Sequence, residues 1–445
     1  MDNLLAARLQ MGMSLGFHIV FACVGIAMPL LMVLAEICYR RTGNEAYLHL
    51  AKRWAKGTAV FFAVGAVSGT VLSFELGLLW PYFMAYAGSI IGMPFSLEGF
   101  AFFTEAIFLG IYLYGRNKIT AWQHIAAGCV VAISGGLSAL FVILANGWMN
   151  TPTGFRDVNG SPVDIDPVAA MLNPSGIPEA VHMLAAAYAA TGFAVAGIHA
   201  FVLLRKNSHE LHQKALALAL GMAAVSGFLV PLTGDNVAQA VAHNQPEKLA
   251  ALEGQFATER GAPLRIGGIP DENARVTRYA IDIPYGLSLL AFHDPFATVK
   301  GLNDFPRDQW PPVVPVHICF QIMVACGGAM GLLSAWIAFL FLRKKQLHEN
   351  TWLLKAALLA SPLGMLAVEC GWMVTEIGRQ PWVIHGIMRT SQSVTPAPSL
   401  VACLLFSGLY LFLAVIVVRL LINEVAASEK PFSPPQSRRP RLPLP

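Results

Sequence analysis

Two glutamates seven residues apart, Glu98 and Glu105, interrupt an otherwise apolar stretch, LEGFAFFTEA. Seven residues make about two helical turns, so both carboxyls would lie on one face of a helix, about 10 Å apart along its axis. Ionisable groups are costly inside a membrane span, and acid pairs there are typical of proton relays. The spacing therefore predicts a proton path, and the alternative is a pair of interhelical hydrogen-bond partners.

A second set of residues has side chains that can ligate iron. Each lies near the same end of a different predicted helix: His18, His182, Met323 and Glu376. Taken singly, each is an ordinary membrane or core residue. Haem sites in helical bundles are built from side chains on facing helices, so the shared depth predicts a haem-binding region. Three other histidines lie in or near helices and are assigned structural roles: His124, His199 and His317.

Two short motifs end predicted helices on the same side as these ligands. They are GWMNTPTG at 147–154 and GRQPW at 378–382. Gly, Pro and Trp in this arrangement are typical of a helix stop with an aromatic interfacial anchor. Arg379 follows Glu376 by three residues, so it is placed to hydrogen-bond a haem propionate or to pair with a carboxylate.

The elements that would position these residues are long apolar stretches. A mean hydropathy of +0.57, with 56% hydrophobic and 13% charged residues, indicates a membrane protein. About 20 apolar residues cross a hydrocarbon core. Nine stretches have that length: 15–37, 58–82, 97–114, 121–147, 179–204, 215–232, 313–342, 356–377 and 398–422. The predicted fold class is all-α, a polytopic membrane protein with about nine transmembrane helices.

Basic residues predict the orientation. The short connection at 83–96 has no Lys or Arg, and 148–178 has only Arg156. Positive residues favour the cytoplasmic side, so the N-terminus is expected outside and the C-terminus inside. The net charge of +4 then reflects contact with the inner leaflet and does not indicate a nucleic-acid partner.

Seven cysteines occur without a CxxC or CxxCH motif. This argues against a zinc site, a disulfide framework and covalently attached c-type haem. The expected division of the chain is transmembrane helices 1–6 at 1–232, an outer loop at 233–311, helices 7–9 at 312–425 and a disordered cytoplasmic tail at 426–445. A loop of that length in a compact membrane protein is usually functional.

Motifs spread over nearly the whole chain resemble subunit I of the cytochrome bd-type quinol oxidases. They occur in the order and on the nine-helix topology of that family, so their combination is far more specific than any one motif. The motifs are RLQ at 8–10 with His18, LEG and TEA within 97–106, ANGWM at 145–149, His182, KLAALE at 248–253, GIPDE at 268–272, IPYGL at 283–287, QIMVACG at 321–327, and VECGW and TEIGRQPW within 368–382.

The resemblance implies three haems. His182 and Met323 match the ligands of the low-spin haem b558, and thioether ligation raises an iron potential. His18 and Glu376 match the ligands of the high-spin pair, haem b595 and haem d. Which of the two haems each residue holds stays open, as does a second high-spin haem b in place of haem d.

The resemblance also implies an activity. Glu98 and Glu105 match acids along the proton route to the oxygen site. Lys248 and Glu253 match residues linked to quinol oxidation in the outer loop, which the family calls the Q loop. Five residues apart on a helix, they would be about 140° apart and line a cleft from different sides.

The reaction implied is the oxidation of ubiquinol or menaquinol at the outer face and the reduction of O2 to water. Protons taken from the cytoplasm would build a gradient without a pump. The expected location is the bacterial inner membrane, with a homologous subunit II and, in some members, a single-helix third subunit.

Two features depart from the long-loop members. Gln321 replaces an Arg that stands two residues before the methionine ligand, which is expected to lower the haem potential or change its propionate contacts. The Q loop also lacks the long insertion after IPYGL, as in cyanide-insensitive relatives. The alternative function is a non-catalytic haem-b anchor or a polytopic transporter.

Overall fold

A computed structural model describes residues 3–205, 209–396 and 400–428. Most of the predicted tail, 429–445, lies outside the described residues. The α-helices in these ranges are, in chain order, α1 (Asn3–Thr42), α2 (Glu45–Leu79), α3 (Pro81–Tyr114), α4 (Ala121–Asn150), α5 (Pro167–Met171), α6 (Gly176–Leu204), α7 (Glu210–Asn244), α8 (Pro246–Glu253), α9 (Gly286–Phe292), α10 (Val313–Leu342), α11 (Thr351–Ala360), α12 (Leu363–Gly378), α13 (Thr390–Ser393) and α14 (Leu400–Ser428).

Within the described ranges, nine helical segments are long and apolar enough to cross a membrane: α1, α2, α3, α4, α6, α7, α10, the α11–α12 pair and α14. The strands there are two or three residues long and form antiparallel ribbons, so the predicted all-α class is confirmed. They are β1 (Arg156–Val158), β2 (Ser161–Val163), β3 (Glu259–Arg260), β4 (Leu264–Ile266), β5 (Ile269–Asp271), β6 (Val276–Arg278), β7 (Ile281–Ile283), β8 (Thr298–Val299), β9 (Trp382–Ile384) and β10 (Met388–Arg389).

Short connections make sequential helices antiparallel neighbours. Asn44 caps α2 by accepting a hydrogen bond from the Ala46 amide, and Thr120 with Gln123 forms a capping box at the start of α4. These caps satisfy amides that a helix start leaves unpaired, so the chain can turn sharply between spans. The pairs α1 and α2, α3 and α4, and α6 and α7 pack along their lengths, and α1 also contacts α4, α6, α12 and α14.

Small residues allow the helices to approach closely. A Cβ atom added at Gly364 of α12 would lie 2.4 Å from the Ala190 Cα atom of α6. A Cβ atom at Gly192 of α6 would lie 2.9 Å from the Ala223 amide nitrogen of α7. In a membrane, small residues promote helix association because they let backbones touch. The α6, α7 and α12 helices are thereby held at backbone contact.

Residues 245–312 lie at one end of the bundle, which we call the loop end. The α7 helix continues to Asn244, so residues 233–244 of the predicted outer loop are helical. The α8 helix that follows is buried from Lys248 to Glu253 and packs on α10 and α12. It stops at Gly254, whose φ of +60° is left-handed and where a Cβ atom would lie 2.5 Å from the Thr277 hydroxyl. Glycine is required there because it has no Cβ atom, so it adopts the left-handed conformation without strain and does not clash with Thr277.

Candidate haem and quinol sites

The first helix presents His18 to α2. Its Nδ1 atom lies 2.9 Å from the Ser68 hydroxyl oxygen, and that hydroxyl donates its hydrogen to the Val64 carbonyl at 2.8 Å. A hydroxyl has one hydrogen, so Ser68 accepts from Nδ1–H of His18. With Nδ1–H as the donor, a neutral ring keeps its lone pair on Nε2, and that is the form that binds iron.

The same arrangement recurs at His182 on α6. Its Nδ1 atom lies 3.0 Å from the Thr233 hydroxyl oxygen of α7, and that hydroxyl donates to the Leu229 carbonyl at 2.9 Å. Nδ1–H is again the donor, and Nε2 again keeps its lone pair. Both predicted haem histidines thus have a hydroxyl acceptor at Nδ1, which suits the tautomer that an iron ligand requires.

Met323 lies about three turns into α10, which begins at Val313. Its sulfur is 3.1 Å from the position that a Cβ atom would take at Gly371 of α12. One turn further along α10, a Cβ atom at Gly327 would meet Val230 of α7 at 4.0 Å. Val230 is one turn from Thr233, so the α7 segment that supports His182 also borders the α10 segment that carries Met323.

Glu376 ends α12 in a group of charged and amide side chains. It accepts from the Asn146 amide at 2.6 Å and pairs with Arg379 at 2.6 Å. Arg379 is 3% exposed and also donates to Asn150 at 3.3 Å. The sequence left two partners open for Arg379, a haem propionate or a carboxylate. In the structure Arg379 pairs with the carboxylate of Glu376. The Nε atom of Arg379 keeps no partner in the described part of the chain.

The donor set fits haem. Neutral imidazoles, a thioether and a carboxylate are side chains that can ligate haem iron, and the first two form low-spin pairs. Near Glu376, two buried hydrogen-bond donors lack an acceptor among the described residues, namely Arg379 Nε and Trp372 Nε1. Buried donors are rarely left unpaired, and a propionate would supply the missing acceptor.

Two of the histidines assigned structural roles cannot easily bind iron. His317 places Nδ1 at 2.7 Å from the Leu252 carbonyl and Nε2 at 3.1 Å from the Gly267 carbonyl. His124 likewise uses both ring nitrogens, on the Glu36 carboxylate and the Tyr112 carbonyl. His199 bonds His212 through Nδ1 at 2.9 Å. With both nitrogens engaged, His124 and His317 have no free ligand atom.

Both acids of α3 lie on one face, as the spacing of seven predicts, and in the structure that face packs against α4. Glu98 accepts from the Ser138 hydroxyl at 3.2 Å, and the Glu105 carboxyl lies 3.3 Å from where Gly135 would carry a Cβ atom. Glu105 is 6% exposed and makes no hydrogen bond to the described residues. Its carboxyl is thus buried without a fixed partner, unlike that of Glu98.

Sequence reasoning missed a buried cluster further along the same face of α3. Tyr112, seven residues after Glu105, donates to Glu36 at 2.6 Å, and Glu36 also pairs with Arg116 at 3.0 Å and His124 at 2.9 Å. Glu36 is fully buried. An acid inside the apolar segment LMVLAEICYR was the available signal. The cluster lies at the end of the bundle opposite the loop end.

Lys248 of α8 points towards the end of α12. It is 2% exposed, donates to the Thr375 carbonyl at 3.4 Å, and has its stem 3.1 Å from the Cβ position of Gly378. Burial lowers the pKa of its ammonium from 10.5 to about 8, opposed mainly by the negative charge of Glu179. The lysine therefore lies beside the Glu376 and Arg379 pair and away from solvent.

Glu253 lies on the other side of α8. It is 4% exposed, and its Oε2 atom has no partner among the described residues. Burial raises the pKa of its carboxyl from 4.5 to about 8, with Arg265 opposing the shift. Arg265 donates to Gln255, its neighbour in the same loop. Lys248 and Glu253 thus reach separate surroundings, in keeping with their 140° separation.

The side-chain amide of Gln321 forms hydrogen bonds to the backbone of the loop. Its amide oxygen accepts from the Gly267 N–H at 2.9 Å, and its amide nitrogen donates to the Arg265 carbonyl at 3.0 Å. An arginine has donors only and could not accept from Gly267. This substitution therefore attaches the ribbon of β4 and β7 to the helix that carries Met323, a role that sequence reasoning did not predict.

Comparison with known proteins settles the family. The model of the family "Cytochrome bd terminal oxidase subunit I" matches residues 6–429. The chain belongs to the cytochrome bd terminal oxidase subunit I family. This confirms the resemblance seen in the sequence.

Among the relatives, the putative cytochrome bd menaquinol oxidase subunit I of Bacillus subtilis is 39% identical, over 95% of this chain and 96% of its own length. The cytochrome bd ubiquinol oxidase subunit 1 of the same organism is 32% identical, over 96% and 94% of the two chains. The solved bd oxidase from Geobacillus thermodenitrificans superposes with a TM-score of 0.89 at 38% identity, covering 96% of this chain and 99% of that chain.

Family membership establishes the general function. The chain is a multi-pass inner-membrane subunit of a haem-containing terminal respiratory oxidase, with quinol and O2 as its substrates. The comparisons do not favour the alternative of a haem-b anchor or a transporter.

Proposed function

We propose that His182 and Met323 hold the low-spin haem b558, while His18 and Glu376 serve the high-spin pair. That pair is haem b595 with either haem d or a second haem b. When bound, the haems supply electron transfer and the reduction of O2. The single observation that carries the assignment is the hydroxyl oxygen within hydrogen-bond distance of Nδ1 in both His18 and His182, which leaves Nε2 available to iron.

Residues around Glu376 orient its carboxylate and balance its negative charge. The Asn146 amide and the Arg379 guanidinium hold the two oxygens of Glu376 in place. The unpartnered Nε of Arg379 is available to a propionate. Fixing a ligand through outer partners is the usual way in which a protein orients a metal site.

We propose that quinol is oxidised in the loop at 233–311, with Glu253 taking a proton from a quinol hydroxyl. A general base must lie within hydrogen-bond reach of the proton that it removes, and Oε2 of Glu253 is a buried acceptor without a protein partner. A pKa of about 8 suits a base that takes up a proton and releases it again near neutral pH. Lys248 would act on the same reaction through its charge, from the other side of α8.

Protons for water would travel along α3. The Glu105 carboxyl, buried and without a fixed partner, can exchange a proton with a neighbour, and Glu98 lies two turns nearer the loop end. The proposed orientation has the N-terminus outside and the C-terminus inside, so electrons and protons would reach oxygen from opposite faces. A proton gradient then forms without a pump. We also propose that a homologous subunit II, with a single-helix subunit in some assemblies, completes the enzyme.

Replacing the two proposed low-spin ligands tests the assignment. Met323→Leu should convert haem b558 to high spin, because leucine keeps the volume but offers no sulfur lone pair. His182→Ala should lose that haem. Reduced and CO-treated absorption spectra of the purified complex measure both effects, with His317→Ala as the control for loss of a buried histidine. An unchanged low-spin band in both ligand variants would overturn the assignment.

A further inference from the structure

A hydroxyl residue followed by glycine supports both predicted haem histidines. Ser68–Gly69 on α2 faces His18, and Thr233–Gly234 on α7 faces His182. The two pairs lie on different helices, 165 positions apart in the chain. In each, the hydroxyl contacts Nδ1 and the glycine lies beside Cε1 of the ring.

The hydroxyl residue sets the tautomer. Its hydrogen is held by a carbonyl one turn earlier in its own helix, at 2.8 Å for Ser68 and 2.9 Å for Thr233. With its hydrogen engaged there, the oxygen is left to accept from the imidazole N–H. A metal-ligating histidine usually donates its second N–H to such a partner, which fixes the ring and raises its basicity.

The glycine leaves room for the ring. A Cβ atom at Gly69 would lie 3.1 Å from Cε1 of His18, and one at Gly234 would lie 3.2 Å from Cε1 of His182. Either contact would push the imidazole back by a few tenths of an ångström. Other glycines of the same helices, Gly77 on α2 and Gly221 on α7, have open space where a Cβ atom would lie. A Cβ atom at Gly227 of α7 would instead meet Ser334 of α10, so Gly69 and Gly234 are the glycines of α2 and α7 that face a histidine ring.

We infer that Ser68–Gly69 and Thr233–Gly234 are positioning residues for the two iron-binding imidazoles. The hydroxyl selects the Nδ1–H tautomer and strengthens Nε2 as a donor, and the glycine sets how closely the ring approaches its supporting helix. This inference rests on the proposed ligand roles of His18 and His182. It adds to the proposed haem sites four residues on α2 and α7, two helices that contribute none of the proposed iron ligands.

At the low-spin site, Thr233→Val removes the hydroxyl acceptor at Nδ1 and keeps the shape, leaving the Val230 carbonyl as the neighbouring backbone acceptor. Thr233→Ser keeps the hydroxyl. Without the hydroxyl as acceptor for Nδ1–H, the imidazole donates less to ferric iron. If ferric binding weakens about tenfold relative to ferrous binding, at the lower limit for loss of such a partner, the midpoint potential of the low-spin haem rises by about 59 mV. A redox titration of the low-spin band measures this rise. Thr233→Ser should titrate like the parent.

The glycines are tested by matched substitutions. Gly234→Ala should change the ring orientation at the low-spin haem, seen as shifted g values in the electron paramagnetic resonance spectrum. Gly221→Ala, the same change on the same helix, should leave them unmoved. Alanine favours a helix over glycine, so a change confined to Gly234→Ala does not come from a weakened helix.

Ser68→Ala and Gly69→Ala apply the same tests at His18, with Gly77→Ala as the control. The readout is the iron–histidine stretching frequency of the ferrous high-spin form by resonance Raman, which should fall in Ser68→Ala as Nε2 becomes a weaker donor. A merely structural hydroxyl would leave that frequency in place.

The outcomes separate the inference from the proposed function. If Thr233→Val and Ser68→Ala leave potential and stretching frequency at parent values while His182→Ala loses the low-spin haem, the positioning role is wrong and the ligand assignment stands. If His182→Ala keeps that haem, the ligand assignment itself fails. A potential that rises equally in Thr233→Val and Thr233→Ser would also overturn the role given to the hydroxyl.

Discussion

Glu253→Gln tests whether Glu253 accepts a proton from quinol or serves only as a buried hydrogen-bond partner. Glutamine keeps the size of the side chain and cannot ionise at neutral pH. Burial raises the pKa of the Glu253 carboxyl from 4.5 to about 8. The shift disfavours the carboxylate by about 5 kcal/mol, since each pKa unit corresponds to about 1.4 kcal/mol. At neutral pH most of this carboxyl is therefore protonated.

The size of the effect follows from the ionised fraction. With a pKa of about 8, roughly a tenth of the carboxyl is ionised at pH 7 and about half at pH 8. If the carboxylate is the base, kcat/KM for quinol should rise about fivefold between pH 7 and pH 8 and then level off. Oxygen uptake with a soluble quinol, measured from pH 6 to 9, gives the profile. In Glu253→Gln the rise should be absent and the rate low throughout.

Two controls make the test specific. Glu259→Gln, a partly exposed acid in the same loop, should keep the parent profile. A small artificial donor that bypasses the loop should show little difference between Glu253→Gln and the parent. A fivefold rise that survives in Glu253→Gln would refute the base assignment, as would a parent profile that is flat over this range.

Three further predictions concern the proton path, the pH dependence of stability and the attachment of the loop. Glu105→Gln and Glu98→Gln should lower steady-state oxygen consumption by about 100-fold, while quinol still reduces haem b558; turnover near that of the parent would make both acids structural. Between pH 4.5 and 8 the native state retains a proton on Glu253 that the unfolded state releases. The free energy of unfolding should therefore fall as pH rises, by about 1.4 kcal/mol per unit, and thermal denaturation at pH 5 and pH 8 should show a smaller drop in Glu253→Gln. Gln321→Arg should loosen the loop, seen as faster proteolysis at 264–283, because arginine cannot accept from the Gly267 amide; an unchanged cleavage pattern would exclude the role given to Gln321.

Local patterns in the sequence were sufficient to predict the membrane spans and to place two acids on one face of a helix. Hydropathy over about 20 residues depends only on neighbours along the chain, and nine segments of that kind occur in the described residues. The spacing of Glu98 and Glu105 likewise placed both on one face of α3, because the helical period is the same wherever the helix packs. The family motifs added candidate ligands that periodicity alone could not distinguish from ordinary histidines.

The partners of those candidates depended on the tertiary structure. Ser68 and Thr233 are 50 and 51 residues from the histidines that they contact, and nothing in hydropathy states which face of one helix meets another. Gln321 looked like a lost charge in the sequence, but its amide binds the loop backbone. Lys248 and Glu253, five residues apart, are separated by the rotation of α8 into two surroundings. The sequence alone thus determined which segments enter the membrane. Only the packing of the helices, fixed by contacts between distant residues, decided which side chains meet.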